Sequence, residues 1–491
     1  MNEQTSPSTQ PPWWKQTWFI ALLLLLATLF AYQPAWNGQP VYDDDDHLIP
    51  PELSSARGLW RIWTEVGAAP QYYPVTHTAF WVQHQLWGES MLGYHLVNIL
   101  LHVLAAFLLG RILQRLAVPG AWLAAAIFAL HPVHAESVAW ISEIKNTLSG
   151  ALYLGAALAY LIFDRDRERR FYVIALGLFV LGMLSKGVIA SLPAALLVVF
   201  WWKRGALSWS WEVRPLLPFF VVGIAGGLFT TWVERKFIGA EGDAFALTLV
   251  ERFLVAGRAL WFYAGKLLWP AELVFIYPRW EISQAVVWQY LFPLAALLFA
   301  GALWLCRRRM RGPLASALFF GGTLFPALGF LNVYPFLYSF VADHYVYLAS
   351  IGVITAAAAG IALLFQRQQL WARPAGNVLC VAVLGMLSVL TWRQSRMYAG
   401  VEPLWLTTLA KNPACWVAHS NLANHFFGQG KTDDAIRHAR RALEMRPNIA
   451  EAYNTLGNAL REKGQVDDAL RHYQKALEIR PDLAVAHTMW E

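Results

Sequence analysis

The sequence predicts an all-α protein that crosses a membrane many times and ends in a soluble module of helical repeats. Of its 491 residues, 57% are hydrophobic and 14% are charged, whereas soluble globular proteins carry about 25% charged residues. Most apolar residues fall in runs long enough, or nearly long enough, to cross roughly 30 Å of hydrocarbon. After residue 393 these runs stop and a fixed sequence period begins.

The net charge and the cysteines exclude several classes of protein. A formal net charge of +7 fits a membrane protein with basic cytoplasmic loops, and no tract of Lys and Arg suggests nucleic-acid binding. Cys306, Cys380 and Cys415 lie far apart in the sequence. Their spacing predicts neither a disulfide framework nor a metal site.

Eleven apolar runs predict the membrane-spanning helices of a domain that covers residues 1–392. They lie at about 18–35, 91–114, 119–132, 147–163, 171–185, 188–202, 215–232, 287–305, 314–331, 346–365 and 376–392. The first run is too long for a cleaved signal peptide, so we interpret it as a span.

The basic loops predict the orientation, because short cytoplasmic loops hold an excess of Lys and Arg. The basic clusters are Arg111 with Arg115, 164–170, 203–205, 306–312 and 366–373. All of them fall on one side if the N-terminus is cytoplasmic. The outer face then receives the first outer loop, 36–90, and also 132–146, 233–286, 332–345 and the chain after 393.

One apolar segment, 251–269, does not fit as a span. It carries Arg252, Arg258 and Lys266, and counting it as a span would place the arginines of 306–312 on the outer side. We therefore predict an amphipathic interfacial or re-entrant helix on the outer face.

The C-terminal region repeats with a period of 34 residues. Pro413, Pro447 and Pro481 are spaced by this period, and so are Gly430 and Gly464. Such a period, with Pro at the repeat boundary, is the signature of tetratricopeptide repeats. We predict a linker helix at 393–412, then two full repeats and one partial repeat at 413–491. Their concave surface would bind an extended peptide or a partner protein.

Four consecutive carboxylates begin the first outer loop, in the stretch "VYDDDDHLIPP". Asp43, Asp44, Asp45 and Asp46 have three ordinary explanations: a solvated loop, metal ligands or a general base. Other polar residues on the same predicted face favour a functional role, because ionisable groups beside membrane segments are costly. They are Tyr73, His77, His131, His134, Glu136, Lys145, Lys186, Asp343, His344 and Tyr345. Taken singly, each could be an interfacial residue.

This mixture suits transfer of a group from a lipid-linked phosphate donor. A carboxylate takes a proton from an acceptor hydroxyl, and cations stabilise the departing phosphate. The alternative interpretation of these residues is a zinc site, but "HPVH" with Glu136 is too loose a pattern to predict one.

Several motifs carry a resemblance to a known family. "VYDDDDHLI", "YYPVTHTAFWVQHQLWG", "GYHLVNILLHVLAAFLL", "HPVHAESVAWISEIKNTLSG", "LSKG" and "ADHYVYLASIG" occur in this order before the repeats. Together they resemble the transmembrane and tetratricopeptide repeat-containing glycosyltransferases and their bacterial relatives. The resemblance implies the GT-C architecture over residues 1–392.

The resemblance also implies an activity and residue roles. Family members transfer a sugar, mannose in animals, with inversion from a polyprenyl-phosphate carrier to Ser or Thr hydroxyls of proteins on the outer side. The acidic pair of the family aligns with Asp43 and Asp44, one of which would be the base. Lys145, Lys186, His134 and His344 would contact the donor phosphate. Tyr73, His77, His131, Glu136, Asp343 and Tyr345 would line the acceptor or donor pocket. The chain departs from many relatives at Asn146 and His344, where Asp and Arg are common.

Three further expectations complete the interpretation. We favour catalysis without a metal, with Asp45 and Asp46 as candidate ligands if Mg²⁺ or Mn²⁺ takes part. The repeats would recruit the protein acceptor.

Short loops and the absence of Asn-X-Ser/Thr sequons suit a bacterial inner membrane with periplasmic repeats, and the endoplasmic reticulum is the alternative. Two other functions remain open: a lipid-linked oligosaccharide ligase, and a membrane-anchored scaffold without catalysis.

Overall fold

The computed structural model describes residues 16–240, 242, 245–366 and 372–481, and this part of the chain is built from helices without any strand. The first half contains α1 Thr17–Ala31, α2 Asp44–His47, α3 Ala56–Thr64, α4 Pro74–Trp87, α5 Met91–Arg115, α6 Ala121–Leu130, α7 Ala135–Ala139, α8 Ile144–Asp166, α9 Arg169–Met183, α10 Leu192–Arg204 and α11 Leu217–Val233. The second half contains α12 Leu249–Leu268, α13 Leu291–Cys306, α14 Gly312–Leu324, α15 Ser350–Gln366, α16 Ala372–Ser395, α17 Val401–Lys411, α18 Trp416–Gly428, α19 Thr432–Met445, α20 Ala450–Glu462 and α21 Val466–Ile479.

The protein is a multi-pass membrane protein. A helix lies at each of the eleven predicted runs, and among the described residues six helical segments are long and apolar enough to cross a bilayer. These six are Met91–Arg115, Ile141–Asp166, Gly187–Arg204, Trp209–Ile238, Val287–Cys306 and Pro374–Ala399. The all-α fold is thereby confirmed, and the number of eleven spans stays a prediction.

The bundle has an inner part and a lipid-facing rim. Helix α8 is largely buried and packs between α5 and α9. Helix α13 has no buried residue, and its Leu297 and Leu305 are 71% and 78% exposed. A continuous apolar face of this kind is unfavourable in water but suits contact with lipid tails.

The predicted cytoplasmic loops meet at one end of the bundle. Arg204 forms ion pairs with Asp164 and Glu212. Arg115 lies 3.9 Å from Asp166. The segment 366–373, which completes the set of basic clusters, lies mostly outside the described residues.

Helix α12 contacts the outer ends of two predicted spans, 314–331 near its start and 119–132 near its end. Near its start, the Arg252 guanidinium donates to the carbonyl of Gly329 at 2.6 Å. Near its end, a ring nitrogen of His131 lies 3.0 Å from the carbonyl of Leu267. A helix that crossed the bilayer would bring its ends to opposite faces, so these contacts support the interfacial position.

The repeat module consists of two helix pairs, α18 with α19 and α20 with α21, preceded by α17. Small buried residues lie where the helices touch, among them Ala423, Ala439 and Ala469. The predicted linker contains the end of α16, a 3-10 turn at Arg396–Ala399 and α17. Most of the predicted partial repeat, from residue 482, lies outside the described residues.

The contact between the two helices of a repeat is filled by different residues in the two repeats. In the second repeat, Gly457 of α20 faces Tyr473 of α21, and a Cβ at Gly457 would lie 2.7 Å from that ring. One period earlier the corresponding residues are Ala423 and Ala439. A glycine is therefore required opposite the larger tyrosine.

We predict that Gly457→Ala destabilises the α20–α21 pair by about 1–3 kcal/mol, because the added methyl overpacks the contact. Hydrogen–deuterium exchange of the full-length protein in detergent should show faster exchange in these two helices. Gly428→Ala is the matched control, since a Cβ there meets nothing within 4 Å. Equal exchange in both variants would contradict the prediction.

Candidate active site

A cavity of about 780 Å³ gathers residues from all five segments predicted on the outer face. The first outer loop contributes Tyr42, Asp43, Asp46, His47 and Gln71, the segment 132–146 contributes Glu136, Trp140, Glu143 and Lys145, and 233–286 contributes Phe275 and Ile276. The segment 332–345 contributes Tyr334, Tyr338 and His344, and the repeats contribute Trp416, Asn421, Asn424, Arg446 and Asn454. The predicted topology puts these five segments on the same side of the membrane, and their meeting in one cavity agrees with that prediction.

Asp44 is buried and does not line the cavity. Its side chain is 1% exposed. Its Oδ2 accepts the backbone N–H of Val41 at 2.9 Å, and its Oδ1 accepts the N–H and the hydroxyl of Ser142 at 2.7 and 2.6 Å. Burial raises the pKa of Asp44 to about 7, although the hydrogen bonds from Ser142 and Val41 favour the ionised form. Asp44 therefore joins the first outer loop to the segment 132–146.

Asp43 is the carboxylate that faces the cavity. Its side chain is 27% exposed, and its Oδ1 lies 2.9 Å from the Ser142 hydroxyl that also contacts Asp44. Its Oδ2 lies 3.7 Å from Nδ1 of His47. Burial, together with the positive charge of Lys145, lowers the pKa of His47 below its usual range, which favours a neutral ring. Asp43 thus presents an oxygen that no charged partner occupies.

Two lysines share one buried carboxylate at the cavity. The Glu143 side chain is 1% exposed; its Oε1 lies 3.1 Å from Nζ of Lys145 and its Oε2 lies 3.3 Å from Nζ of Lys186. Lys186 also donates to Oδ1 of Asn146 at 2.7 Å. Lys145 lines the cavity, whereas Lys186 packs behind it. The three ionised groups carry a net charge of +1.

Glu136 and His344 form a hydrogen-bonded pair on the cavity wall. Nδ1 of His344 lies 2.9 Å from Oε1 of Glu136, and the backbone N–H of His344 donates to Oε2 at 3.1 Å. The amide of Asn146 donates to the backbone carbonyl of His344 at 3.0 Å. Asn146 therefore connects this pair to the lysine cluster.

The structure does not bring His134 and His131 to the cavity. Both ring nitrogens of His134 already have partners, the carbonyl of Phe128 at 2.8 Å and the hydroxyl of Ser350 at 3.0 Å. His131 is held in the same way, by the Leu267 carbonyl and the Val133 N–H. With every nitrogen occupied and both side chains buried, neither histidine is placed to contact a donor phosphate.

Four other predicted residues, Asp343, His77, Tyr345 and Tyr73, do not line the cavity. Asp343 is 2% exposed and accepts the Tyr277 hydroxyl at 2.8 Å. Burial, and then the charge of Glu136, raises its pKa well above the usual range. His77 stacks on His47 with 6.0 Å between ring centroids, and the Tyr345 ring lies 4.4 Å from that of His344. Tyr73 precedes α4 and is not among the residues that line the cavity.

The candidate metal ligands are exposed. Asp45 points to solvent, and Asp46 lies at the cavity wall. Within the described ranges, no three side chains of His, Cys, Asp or Glu are grouped so as to hold a metal ion. The choice between catalysis with and without a metal stays a prediction.

Two residues of the site were missed by sequence reasoning. Ser142 contacts both Asp43 and Asp44, and Glu143 pairs with both lysines. Both lie in the stretch "WISEIKN" beside Lys145. A carboxylate two residues before a lysine in an apolar segment was the available signal, since a buried cation needs a charged partner.

Comparisons with known proteins agree with this organisation. A family model for the tetratricopeptide repeat matches residues 414–482, which confirms the repeat module. The chain is 26% identical over 453 residues to the protein O-mannosyl-transferase F38B6.6 of Caenorhabditis elegans, an alignment that covers 87% of this chain and 63% of the relative.

Two further relatives extend the similarity. The human protein O-mannosyl-transferase TMTC1 is 25% identical over 502 residues, covering 88% of this chain and 56% of the relative. The Drosophila melanogaster protein O-mannosyl-transferase Tmtc1 is 24% identical over 544 residues, covering 88% and 61%. The resemblance predicted from the motifs is confirmed: homologues of this family match most of the chain. The chain spans about 56–63% of the length of these relatives.

The environment of Asp44 predicts a pH-dependent stability. Because the pKa of Asp44 is about 7 in the native state and 3.8 for an ordinary aspartate, the native state binds an extra proton between these values. Its contribution to the unfolding free energy is therefore complete below about pH 4 and is lost as the pH rises through 7. A shift of this size corresponds to at most about 4 kcal/mol.

The thermal midpoint of the full-length protein in detergent, measured from pH 4.5 to 8, tests this dependence. Asp44→Asn should flatten the profile, because an amide does not titrate, and the exposed Asp45→Asn should follow wild type. A profile of Asp44→Asn parallel to wild type would refute the assignment.

Proposed function

We propose that the protein is an inverting membrane glycosyltransferase that moves a sugar, with mannose as the first candidate, from a polyprenyl-phosphate carrier to Ser or Thr hydroxyls of proteins. One observation carries the proposal: the carboxylate of Asp43 and the ammonium of Lys145 face one cavity. The similarity to proteins named protein O-mannosyl-transferases supports it.

In this proposal, Asp43 acts on the acceptor. Its Oδ2 accepts the proton of the Ser or Thr hydroxyl, and the hydroxyl oxygen forms the new bond to C1 of the sugar. A base that is partly exposed and unpaired can reach this hydroxyl, whereas Asp44 is enclosed by three donors. General-base catalysis of this kind contributes about 10²- to 10⁴-fold to the rate.

The leaving group determines the role of the cations. As the new bond forms, the bond from C1 to the phosphate oxygen breaks on the opposite face of the sugar, and the carrier phosphate departs with the electron pair. In this proposal Lys145, which lines the cavity, holds that phosphate. Glu143 pairs with both lysines, which favours their charged forms in a low-dielectric setting, and the three charged groups leave one net positive charge for the phosphate. His344 is a second cavity-facing group on this side.

The proposal also specifies the location of the reaction. The cavity is lined by the segments predicted on the outer face, so transfer takes place on the extracytoplasmic side of the membrane. In a bacterial host this side is the periplasm, and in a eukaryotic host it is the lumen of the endoplasmic reticulum. The repeats lie on the same side and engage the protein acceptor.

We predict that Asp43→Asn lowers kcat for transfer by about 10²- to 10⁴-fold and leaves the donor KM nearly unchanged. The assay is transfer from a defined polyprenyl-phosphate mannose to a Thr-containing peptide by the purified protein. Asp45→Asn is the control and should retain activity. An oligosaccharide ligase would instead use a lipid-linked glycan donor, and a scaffold would show no transfer and no effect of Asp43→Asn in cells.

A second prediction concerns Lys145. The informative variant is Lys145→Gln, because Glu143 keeps Lys186 as its charged partner and the cluster loses its one net positive charge. The loss of one charge-assisted contact to phosphate, worth about 1.5–3 kcal/mol, should raise the donor KM roughly 10- to 100-fold. Inhibition by free polyprenyl phosphate should weaken by the same factor. An unchanged inhibition constant would assign the phosphate to other residues.

A further inference from the structure

A second cavity, of about 430 Å³, lies where the repeat module joins the membrane domain. Its walls come from the end of α16, from α17 and from the segment that follows α12. The side chains that line it include Glu272, Leu390, Arg393, Arg396, Met397 and Lys411. None of these six lines the candidate active site, so the two cavities are separate.

The charged groups around the second cavity are mostly cationic. Arg393, Arg396 and Lys411 share it with one carboxylate, that of Glu272, which gives a net charge of +2. In the described part of the chain, the guanidinium of Arg393 has neither a hydrogen bond nor an ion pair. The guanidinium of Arg396 lies over the Trp392 ring, 3.9 Å from its centroid, and it too lacks a carboxylate partner among these residues. Two guanidinium groups beside the cavity are thus available to an anion.

The length of α16 places this cavity at the depth of lipid headgroups. Arg393 comes 19 residues after Pro374, the residue at which the apolar span begins. At a rise of about 1.5 Å per residue, the two positions are about 28 Å apart, and the hydrocarbon core of a bilayer is roughly 30 Å thick. A span that starts at one face of the bilayer therefore brings the Arg393 guanidinium to the phosphates of the opposite leaflet.

An apolar stripe on α16 leads to the two arginines. It consists of Val378, Val381, Gly385 and Val389, which are exposed and follow one another at steps of three or four residues. Residues at these steps lie on one face of a helix, and Arg393 is the next step. A lipid whose tails lie on this stripe has its headgroup at the second cavity.

We propose that the second cavity binds the phosphate of an anionic phospholipid from the leaflet on the side of the candidate active site. The guanidinium groups of Arg393 and Arg396 donate hydrogen bonds to the phosphate oxygens, a geometry for which arginine is suited. The acyl chains lie along the exposed stripe of α16. A lipid with a net negative charge is favoured, because the site has a net charge of +2 and a zwitterionic headgroup brings a cation of its own.

The bound lipid contacts the attachment of the repeats. Lys411 of α17 lines the second cavity and donates to the carbonyl of Leu273 at 2.6 Å. The phosphate therefore lies against one of the bonds that join the repeat module to the membrane domain. A ligand of the native state stabilises it, so the lipid strengthens this attachment. The inference requires no catalytic activity and stands apart from the proposed function.

A titration with lipid tests the site without any assay of catalysis. The probe is dioleoyl phosphatidylglycerol, added to the full-length protein in detergent, and the bound lipid is counted by native mass spectrometry. Arg393→Gln combined with Arg396→Gln should raise the apparent Kd by about tenfold or more, as expected for lost charge-assisted hydrogen bonds. Because both side chains are exposed, the variant should fold like wild type, as its circular dichroism would show. An unchanged Kd would overturn the proposal.

A matched control comes from the end of another span on the same predicted face. Arg235 and Lys236 are exposed there, and Lys236 lies over the ring of Trp232 as Arg396 lies over that of Trp392. Neither residue lines the second cavity. Arg235→Gln combined with Lys236→Gln removes the same charge and should bind the lipid like wild type. Equal weakening in the two double variants would show a general attraction to basic surfaces and would overturn the site.

Other ligands test the class of lipid with the wild-type protein alone. Dioleoyl phosphatidylcholine should bind roughly tenfold more weakly than phosphatidylglycerol, because its choline is repelled by the site. Glycerol phosphate, which has the headgroup phosphate without tails, should not displace phosphatidylglycerol at equal concentration. Equal binding of phosphatidylcholine or displacement by glycerol phosphate would overturn the proposal. Tighter binding of a polyprenyl phosphate would also overturn it, since the cavity would then belong to the carrier lipid.

Discussion

The geometry of the site depends on the contact between the Asp44 carboxylate and Ser142. Two backbone N–H groups and one hydroxyl converge on this buried carboxylate and join parts of the chain 98 positions apart. This contact helps to fix the first outer loop relative to the segment that carries Lys145, together with the contact of Asp43 with the Ser142 hydroxyl. Asp44, one of the two candidate bases, thus has a structural role. Its buried contacts hold the loop in a position from which Asp43 faces the cavity.

The second constraint is electrostatic. Two lysines beside the membrane would repel each other and would lose charge on burial, but Glu143 lies between them and Asn146 links the cluster to His344. A buried pair of unlike charges usually contributes little net stability, because desolvation offsets attraction. With a third charged group, one positive charge is left over. Under the proposed function, this charge is what would make the cluster a preorganised anion site.

Much of the architecture follows from local sequence properties, and much of the site does not. Helices form at each of the eleven apolar runs because length and hydropathy are local, and the repeats follow from a period of 34 residues. By contrast, Asp43 and Asp44 are the same residue type in the same loop and differ only in their tertiary partners. His131 was predicted to line the pocket and His134 to contact the donor phosphate. Instead, a ring nitrogen of each is bound to a backbone carbonyl, that of Leu267 for His131 and that of Phe128 for His134. Glu143 was overlooked because its importance lies in reaching two cations at once.

The attachment of the repeats has a consequence for which proteins can be modified. Lys411 and Asn412 donate to the carbonyls of Leu273 and Ile276 at 2.6 and 3.1 Å, in the segment that follows α12. If α12 lies at the membrane surface as predicted, these bonds hold the module at a fixed height above the bilayer. Under the proposed function, an acceptor anchored in the same membrane would therefore be modified at residues that lie at one fixed distance from the lipid.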